Sequence, residues 1–379
     1  MKAIILVAAC AAIVGFSYGM YSPIVPVFAK EQLAADFSQV GVIGMANFLP
    51  YMLAPFFVGM MLDRTNKAFL LSAGISLNVF AIFMLSQAQS VPETVVLRGL
   101  AGVAHALFWP SSEVLVSTST TLDKRVKWIS IFIAAWIAGF MTGPLLGKVI
   151  LDFFDHRVLF QLSAAAISFA IVPALLLIGH GRPIRGEESH RQMASLGDIK
   201  REFASKPVVS AVILYYAITF GVTLAIYPAY MKDASVSDQN IEILFFAFGA
   251  ARFAVLPLVQ KIARHGRAAL AMAVIVTAAG MAISFAFSSI LSFAIALMLL
   301  GIGTSIFYPV TFNLVTKDAP VEKMGSRLGI YGALFGSGWT AGPVTVGLSS
   351  DAFGPGSPYL AFFIIGALLA SAIALKKSS

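Results

Sequence analysis

The sequence predicts an all-α polytopic membrane protein with twelve transmembrane helices arranged as two pseudo-symmetric six-helix bundles. Three observations support this fold class: an apolar composition, a series of long apolar runs, and a repeat that relates the two halves. Of the 379 residues, 59% are hydrophobic and only 12% are charged, whereas soluble domains carry roughly 25% charged residues. We therefore expect lipid to surround most of the surface.

The apolar runs are long enough to cross a bilayer, which takes roughly 20 residues. They are predicted at 3–28, 37–61, 68–88, 92–117, 127–150 and 158–178, and then at 207–231, 240–260, 268–288, 290–316, 325–350 and 356–375. Val7-Ala8-Ala9-Cys10 resembles a lipoprotein cleavage site, but the apolar run continues to Phe28. We therefore expect a retained first helix.

The basic residues indicate how the chain is organised across the membrane. A polar segment at 180–206 separates an N-terminal bundle, 1–179, from a C-terminal bundle, 207–379. With twelve spans, twenty Lys and Arg residues fall on the side of the termini and this linker, and four fall on the other side. The positive-inside rule then predicts a multi-pass protein of the cell (plasma or inner) membrane with both termini and the linker in the cytoplasm. This placement also explains the net charge of +8 without a nucleic-acid partner.

A Gly-x-x-x-Gly-Pro pattern occurs twice, at positions 199 residues apart. It comprises Gly139, Gly143 and Pro144 in the predicted fifth helix, and Gly338, Gly342 and Pro343 in the eleventh. The same offset relates Gly102 to Gly301 and Trp109 to Tyr308. The repeat predicts that the halves have the same fold, as in many transporters.

Three local patterns, in the expected helices and order, resemble those of the major facilitator superfamily. The loop after the second helix contains Gly59-x-x-x-Asp63-Arg64-Thr65-Asn66-Lys67 and the fourth helix contains Arg98-x-x-x-Gly102, while the Gly-Pro pattern at 139–144 is similar to that of the exporters. The family usually has Gly where Asn66 stands, and we expect Asn66 to keep the turn because Asn tolerates a left-handed conformation. At an offset of 200, Arg64 and Lys67 correspond to Arg264 and Arg267 in the second half, where Ala263 stands in the place of Asp63.

Polar residues inside the predicted spans are the candidates for solute binding and proton coupling, because transport needs a central site. These candidates, with two aromatic residues, are Arg98, His105, Glu113, Arg252, Trp109 and Tyr308. Arg98, His105 and Trp109 share one helix face, from which Glu113 is displaced by roughly 80°. The structural alternatives are helix capping or snorkelling for Arg98, a helix-packing hydrogen bond for His105, and a salt bridge near the cytoplasmic end for Glu113.

Two further groups of residues are predicted to control conformation. Gly59, Asp63, Arg64 and Lys67 form a predicted gating loop, although Arg64 also follows the positive-inside bias without any gating role. The two Gly-Pro patterns are predicted to allow close helix packing in lipid, with a proline kink, and to resist ion leak.

The leading functional hypothesis is export of a small organic solute by alternating access and proton antiport. The alternative is an uptake symporter or facilitator for a small nutrient on the same fold. The sequence contains no Gly-x-x-x-x-Gly-Lys-Ser/Thr loop, zinc-binding His cluster or nucleophile elbow, so we expect no enzyme activity, catalytic residues, cofactor or metal. The expected partners are the solute, protons or another coupling ion, and the lipid bilayer, and the protein is expected to be a monomer.

Overall fold

The structure is a computed structural model that describes residues 2–180, 207–316 and 321–375, apart from some side chains within them. The helices of the first half are α1 Lys2–Tyr21, α2 Ile24–Leu33, α3 Phe37–Arg64, α4 Lys67–Leu85, α5 Val91–Thr118, α6 Leu122–Leu151, α7 His156–Ser168 and α8 Ile171–Leu176. Those of the second half are α9 Pro207–Ala225, α10 Tyr227–Asp233, α11 Asp238–Ala263, α12 Arg267–Ala286, α13 Ile290–Thr316, α14 Val321–Phe353 and α15 Ser357–Leu375. Most of the predicted linker lies outside the described residues.

The described residues form twelve helical rods that cross the molecule, which confirms the predicted fold class. Within the described residues, ten helical segments have the length and composition to span a membrane, and α1 and α2 together form the first of them. The helices α3 and α14 complete the set with 28 and 33 residues, enough to cross a hydrocarbon core of about 30 Å. We call the end where α1 begins and α15 ends the terminus face, and the opposite end the far face.

Three of the rods are broken into two helices, where the sequence predicted continuous ones. The predicted run 3–28 divides at Ser22-Pro23 and continues to Leu33. The runs 158–178 and 207–231 divide just before Pro173 and Pro228. Proline lacks the N–H that would bond one turn back, and its ring clashes with the carbonyl there. Hydropathy does not detect these breaks because the chain remains apolar through them.

The packing of the rods confirms the internal repeat. In the first half α1 packs on α6, α5 packs on α3 and α4, and α4 packs on α7. The second half has the equivalent pairs, with α9 on α14, α13 on α11 and α12, and α12 on α15. The halves meet along α3 with α14 and along α6 with α11, and these two seams are exchanged by the same pseudo-symmetry. The space between the seams is the candidate solute cleft.

Candidate functional site

The far face is closed by contacts between the two halves. At the α3–α14 seam, the Asp351 carboxylate accepts hydrogen bonds from the backbone N–H groups of Phe37 (3.0 Å) and Ser38 (2.8 Å). At the α6–α11 seam, the side chain of Gln239 donates to the carbonyl oxygen of Leu151 at 2.8 Å. A carboxylate at the first N–H groups of α3 also interacts favourably with the dipole of that helix. Both seams are therefore fastened at this end.

A cluster of four charged or polar side chains, the far-face cluster, joins the halves between these seams. Lys232 lies 2.6 Å from the Glu31 carboxylate and 2.7 Å from that of Asp238, and His156 Nε2 lies 2.6 Å from the other oxygen of Asp238. Burial alone would lower the pKa of Lys232, but the hydrogen bonds to Asp238 and Glu31 outweigh that effect and raise the pKa above its ordinary value. The ligand atoms of Glu31, His156 and Asp238 are close enough to hold a metal ion, but the ammonium of Lys232 already contacts both carboxylates.

The accessible side chains of the cleft lie in its terminus-face half. Glu113 is exposed, and Tyr308 is 44% exposed. Glu113, on α5, is close enough to Tyr51 on α3 and Tyr308 on α13 to interact with them electrostatically. Since Tyr308 belongs to the second half, Glu113 lies near the boundary between the halves. Within the described residues Glu113 has no ion pair, so the salt bridge considered from the sequence is not seen there.

Arg98 and His105 lie deeper, on the side of α5 that packs against α1. Arg98 is 5% exposed and donates from Nη1 to the hydroxyl oxygen of Tyr21 at 3.5 Å, with its guanidinium 5.7 Å from the centre of that ring. His105 is 8% exposed, lies 3.3 Å from the Asn78 amide and packs edge-on against Tyr18. The arrangement of His105 is that of the predicted helix-packing alternative. Arg98 points inward and does not snorkel.

Trp109 belongs to an aromatic cluster of the first half. Its ring centre lies 5.4 Å from that of Trp136 and 5.3 Å from that of Phe132. Trp136 in turn stacks on Phe140 at 5.4 Å. Aromatic rings give such a site a large apolar surface with defined geometry.

Arg252 lies at the boundary between the halves, in a cage of three phenylalanine rings. Its guanidinium carbon is 5.2 Å from the ring centre of Phe220, 5.6 Å from that of Phe248 and 6.0 Å from that of Phe140. Phe140 comes from α6 of the first half, and the other two come from α9 and α11. Nε and Nη1 of Arg252 are buried and have no hydrogen-bond partner among the described residues. The cage therefore contains a cation with two buried nitrogens that find no acceptor in the part of the chain that the structure describes.

The predicted gating loop is described only in part. Gly59 and Asp63 lie in the last turns of α3, where the Asp63 side chain is outside the described residues. Arg64 ends α3 and is exposed, and Lys67 begins α4 and is buried. Gating stays a prediction.

The expectation for Asn66 in this loop is wrong. Its φ of −61° is not left-handed, and its side-chain oxygen accepts hydrogen bonds from the N–H groups of Ala68 and Phe69. Asn66 therefore acts as the N-cap of α4.

The glycines of the two repeated patterns lie where helices approach closely. A Cβ built on Gly139 or Gly143 would lie 2.1 Å from a carbonyl oxygen of α1. A Cβ built on Gly338 would lie 2.5 Å from Cβ of Ala217, and one on Gly342 would lie 3.1 Å from backbone atoms of Ile218, both on α9. Pro144 and Pro343 lie inside the unbroken helices α6 and α14. The equivalent glycines thus pack equivalent helix pairs.

Sequence reasoning missed Glu242, a fully buried carboxyl on α11. Both of its oxygens lack a hydrogen-bond partner among the described residues. Oε1 lies 2.4 Å from the point where a Cβ on Gly147 of α6 would sit, and the carbonyl oxygen of Met20 lies 3.2 Å from the same point. Glu242 was overlooked because the predicted span began at residue 240. The observed helix begins at Asp238, which places Glu242 beyond the first turn.

Sequence reasoning also left out Trp339 and Phe220, which form a strip of three rings with Tyr51. Tyr51 stacks on Trp339 with ring centres 5.7 Å apart, and Trp339 stacks on Phe220 at 5.3 Å. The three residues come from α3, α14 and α9, so the strip crosses from the first half to the second. We call it the aromatic strip.

Comparison with known proteins places the whole chain in one family. A sequence profile of the Major Facilitator Superfamily matches residues 7–258 and 208–378. An uncharacterized MFS-type transporter of Methanocaldococcus jannaschii is 20% identical over 358 residues, covering 90% of this chain and 89% of that protein. The multidrug resistance protein MdtH of Aeromonas hydrophila is 26% identical over 317 residues, covering 81% and 78%. The quinolone resistance protein NorA of Staphylococcus aureus is 23% identical over 228 residues, covering 59% and 58%.

Solved transporters share the fold. The crystal structure of the nucleoside transporter NupG has a TM-score of 0.79 at 13% identity and covers 100% of both chains. A bacterial homolog of the human lysosomal transporter Spinster has a TM-score of 0.76 at 13% identity, covering 98% of this chain and 95% of that one.

Proposed function

Because this chain belongs to the major facilitator superfamily, we propose that it exports a small organic solute by alternating access, driven by protons that move the opposite way. Two similar proteins are named for multidrug and quinolone resistance, which favours export. The observation that carries the proposal is Glu113, an accessible carboxyl between the two halves with no ion pair among the described residues. A carboxyl at this position can bind a proton or a solute group, and antiport requires that the two exclude each other.

The closed far face supports alternating access. The Asp351 hydrogen bonds and the far-face cluster join the halves at one end, while Glu113 and Tyr308 are accessible from the other. Separating these contacts and closing the terminus face would expose the same cleft to the opposite side. We place the terminus face in the cytoplasm because the positive charges follow the positive-inside rule.

Glu242 supplies a second proton site in this proposal. An ionised carboxyl without a partner is costly to bury, so the α6–α11 seam closes over Glu242 in its protonated form. When the far face opens, Glu242 meets water and exchanges its proton with that side. Protons outside the cell therefore favour return to the state with a closed far face.

Flux into proteoliposomes tests the function. With an acidic interior, antiport predicts accumulation of a fluorescent quinolone in the liposomes, whichever way the protein is inserted. Glu113→Gln should abolish this accumulation and keep solute exchange in the absence of a pH gradient. Glu93→Gln, an exposed site on the same helix, is the matched control.

Three outcomes would reject parts of the proposal. Accumulation only with an alkaline interior would favour the symporter alternative. Flux that ignores the pH gradient would exclude proton coupling. An unchanged Glu113→Gln protein would remove Glu113 from the mechanism.

A further inference from the structure

Arg252 is a cation on a membrane-spanning helix and has no anionic partner in the part of the chain that the structure describes. From its surroundings we infer that Arg252 binds the anionic group of the solute, so that the solute is an organic acid in its carboxylate form. The inference rests on the proposed function, since it takes the boundary between the halves as the solute site. It adds the chemical class of the solute and the residue that recognises it.

The repeat shows that the fold does not need an arginine at this position. At an offset of 200, the residue equivalent to Arg252 is Met52. Met52 follows Phe48 by one turn of α3, as Arg252 follows Phe248 by one turn of α11. The two helices pack at equivalent seams of the molecule. A methionine is therefore enough to fill the equivalent place in the first half.

The aromatic surroundings of the two positions are repeated as well. The ring centre of Phe248 lies 6.2 Å from that of Phe140, across the α6–α11 seam. The ring centre of Phe48 lies 5.3 Å from that of Trp339, across the α3–α14 seam. Trp339 is the equivalent of Phe140 at the offset of 199. The rings around Arg252 are thus a general feature of both seams, and they do not explain why one seam contains a cation.

The arginine brings a cost that a methionine would avoid. Nε and Nη1 of Arg252 are buried and have no acceptor among the described residues. Arginine keeps its charge in proteins, and a buried charge is costly unless it is paired. Glu242 is on the same helix, ten residues earlier, so about 15 Å of helix separates it from Arg252 in every conformer. A charged residue kept inside a span at this cost indicates a binding site for the opposite charge.

The cage leaves part of the guanidinium accessible to a ligand. The third nitrogen, Nη2, is not one of the buried atoms, and Arg252 as a whole is partly exposed. Phe140 belongs to the first half, whereas Phe220 and Phe248 belong to the second. Movement of the halves against each other would therefore uncover the remaining nitrogens. A carboxylate could then accept two parallel hydrogen bonds, the geometry that arginine favours.

An anionic solute also fits the proposed direction of transport. With the terminus face in the cytoplasm, an anion that leaves the cell moves down the inside-negative membrane potential. A proton that enters the cell moves down the same potential. The membrane potential would therefore drive both steps of the exchange.

Two naphthalene probes of nearly the same shape separate binding of the charge from binding of the rings. The first is 2-naphthoate, which carries the carboxylate, and the second is 2-naphthamide, in which a neutral amide replaces it. Dissociation constants are measured by calorimetry on the purified full-length protein in detergent, in a chloride-free buffer at neutral pH with no pH gradient. We expect naphthoate to bind about 10-fold tighter than naphthamide.

Substitutions of Arg252 should remove this preference. Arg252→Met introduces the residue of the equivalent position, and it should weaken naphthoate binding about 10-fold and leave naphthamide binding within about 2-fold. Arg252→Lys keeps the charge and should bind naphthoate more tightly than Arg252→Met does. Arg264→Met changes an exposed arginine at the end of the same helix. It is the matched control and should leave the binding of both probes within about 2-fold.

Melting temperatures separate a binding role of Arg252 from a structural one. Because methionine leaves no donor unpaired, Arg252→Met without ligand should melt no lower than the wild-type protein. Naphthoate should raise the melting temperature of the wild-type protein and not that of Arg252→Met. A marked loss of stability in unliganded Arg252→Met would give Arg252 a structural role and overturn the inference.

The inference is also overturned if naphthamide binds as tightly as naphthoate, or if Arg252→Met weakens both probes equally. It is overturned as well if chloride, or a short-chain phosphatidylglycerol, protects the protein from heat as well as naphthoate does, because Arg252 would then hold an inorganic ion or a lipid headgroup. Selective naphthoate binding without proton-driven quinolone flux would reject the proposed function and keep the anion site. Proton-driven flux with no preference for the anion would do the reverse.

Discussion

The close approach of α6 to α1 makes a specific prediction for Gly143→Ala. The new Cβ would lie 2.1 Å from the Phe16 carbonyl oxygen, 2.8 Å from the Met20 nitrogen and 3.1 Å from the Gly19 carbonyl carbon. All three are backbone atoms, so no side chain can turn away to make room. Restoring ordinary contact requires the helices to separate by about 1.3 Å locally. Overpacking of this kind lowers the free energy of unfolding by about 1–3 kcal/mol. The better helix propensity of Ala offsets up to about 1 kcal/mol of that loss.

The matched control is Gly332→Ala on α14, where a Cβ would meet no atom within 4 Å. We expect it to be neutral or to stabilise by up to about 1 kcal/mol, through helix propensity alone. The free energy of unfolding is measured for both variants by titration with SDS in mixed micelles, with tryptophan fluorescence as the signal. If Gly143→Ala is as stable as Gly332→Ala, the tight packing of α1 on α6 is refuted.

Three further predictions concern the far face and the α4 cap. Lys232→Gln should weaken far-face closure by about 1 kcal/mol, seen as faster hydrogen–deuterium exchange of the Phe37 and Ser38 N–H groups, which donate to Asp351 across the far face. Because the pKa of Lys232 is raised, Lys232 stabilises the closed far face fully below the ordinary lysine pKa. This stabilisation is lost only as the pH rises through the raised pKa. Loss of far-face closure between pH 7 and 9 would contradict the role given to Lys232. The Cβ of Gly147→Ala would lie 2.4 Å from Glu242 Oε1. We therefore expect this substitution to lower the free energy of unfolding more in the wild-type protein than in the Glu242→Ala variant. If the effects of the two substitutions on the free energy of unfolding are additive, that contact is disproved. Asn66→Ala should cost about 1 kcal/mol and Asn66→Gly only a few tenths, and equal melting temperatures would rule out the cap.

Much of the fold could be predicted because lipid imposes a simple rule on the sequence. Each span needs a long apolar run, and the repeat of Gly139 at Gly338 shows that the halves are related. The breaks beside Pro23, Pro173 and Pro228 were missed because an apolar run does not reveal where backbone hydrogen bonds are lost. Other prolines, such as Pro110 in α5, lie inside unbroken helices. A proline in the sequence therefore does not by itself predict a break in a helix.

The candidate site was harder to predict because its contacts join distant parts of the chain. Arg252 was recognised as a charged residue in a span, but its cage needs Phe140 from the other half. The sequence does not distinguish Trp339 from the other aromatic residues, and only the structure shows that it stacks between Tyr51 and Phe220. Only Glu242 carried a signal that better helix boundaries would have revealed, namely an acid inside a span.

The central claim is that the two halves rock about one cleft, and electron-spin distances across both faces test it most directly. Cys10 is the only cysteine and is buried, so Cys10→Ala gives a background for paired labels. One pair at Gln87 and Ser288 reports on the far face, and another at Thr118 and Arg264 reports on the terminus face. Between acidic and alkaline pH, the account predicts that one distance lengthens as the other shortens. Distances that stay fixed, or that lengthen together, would contradict it.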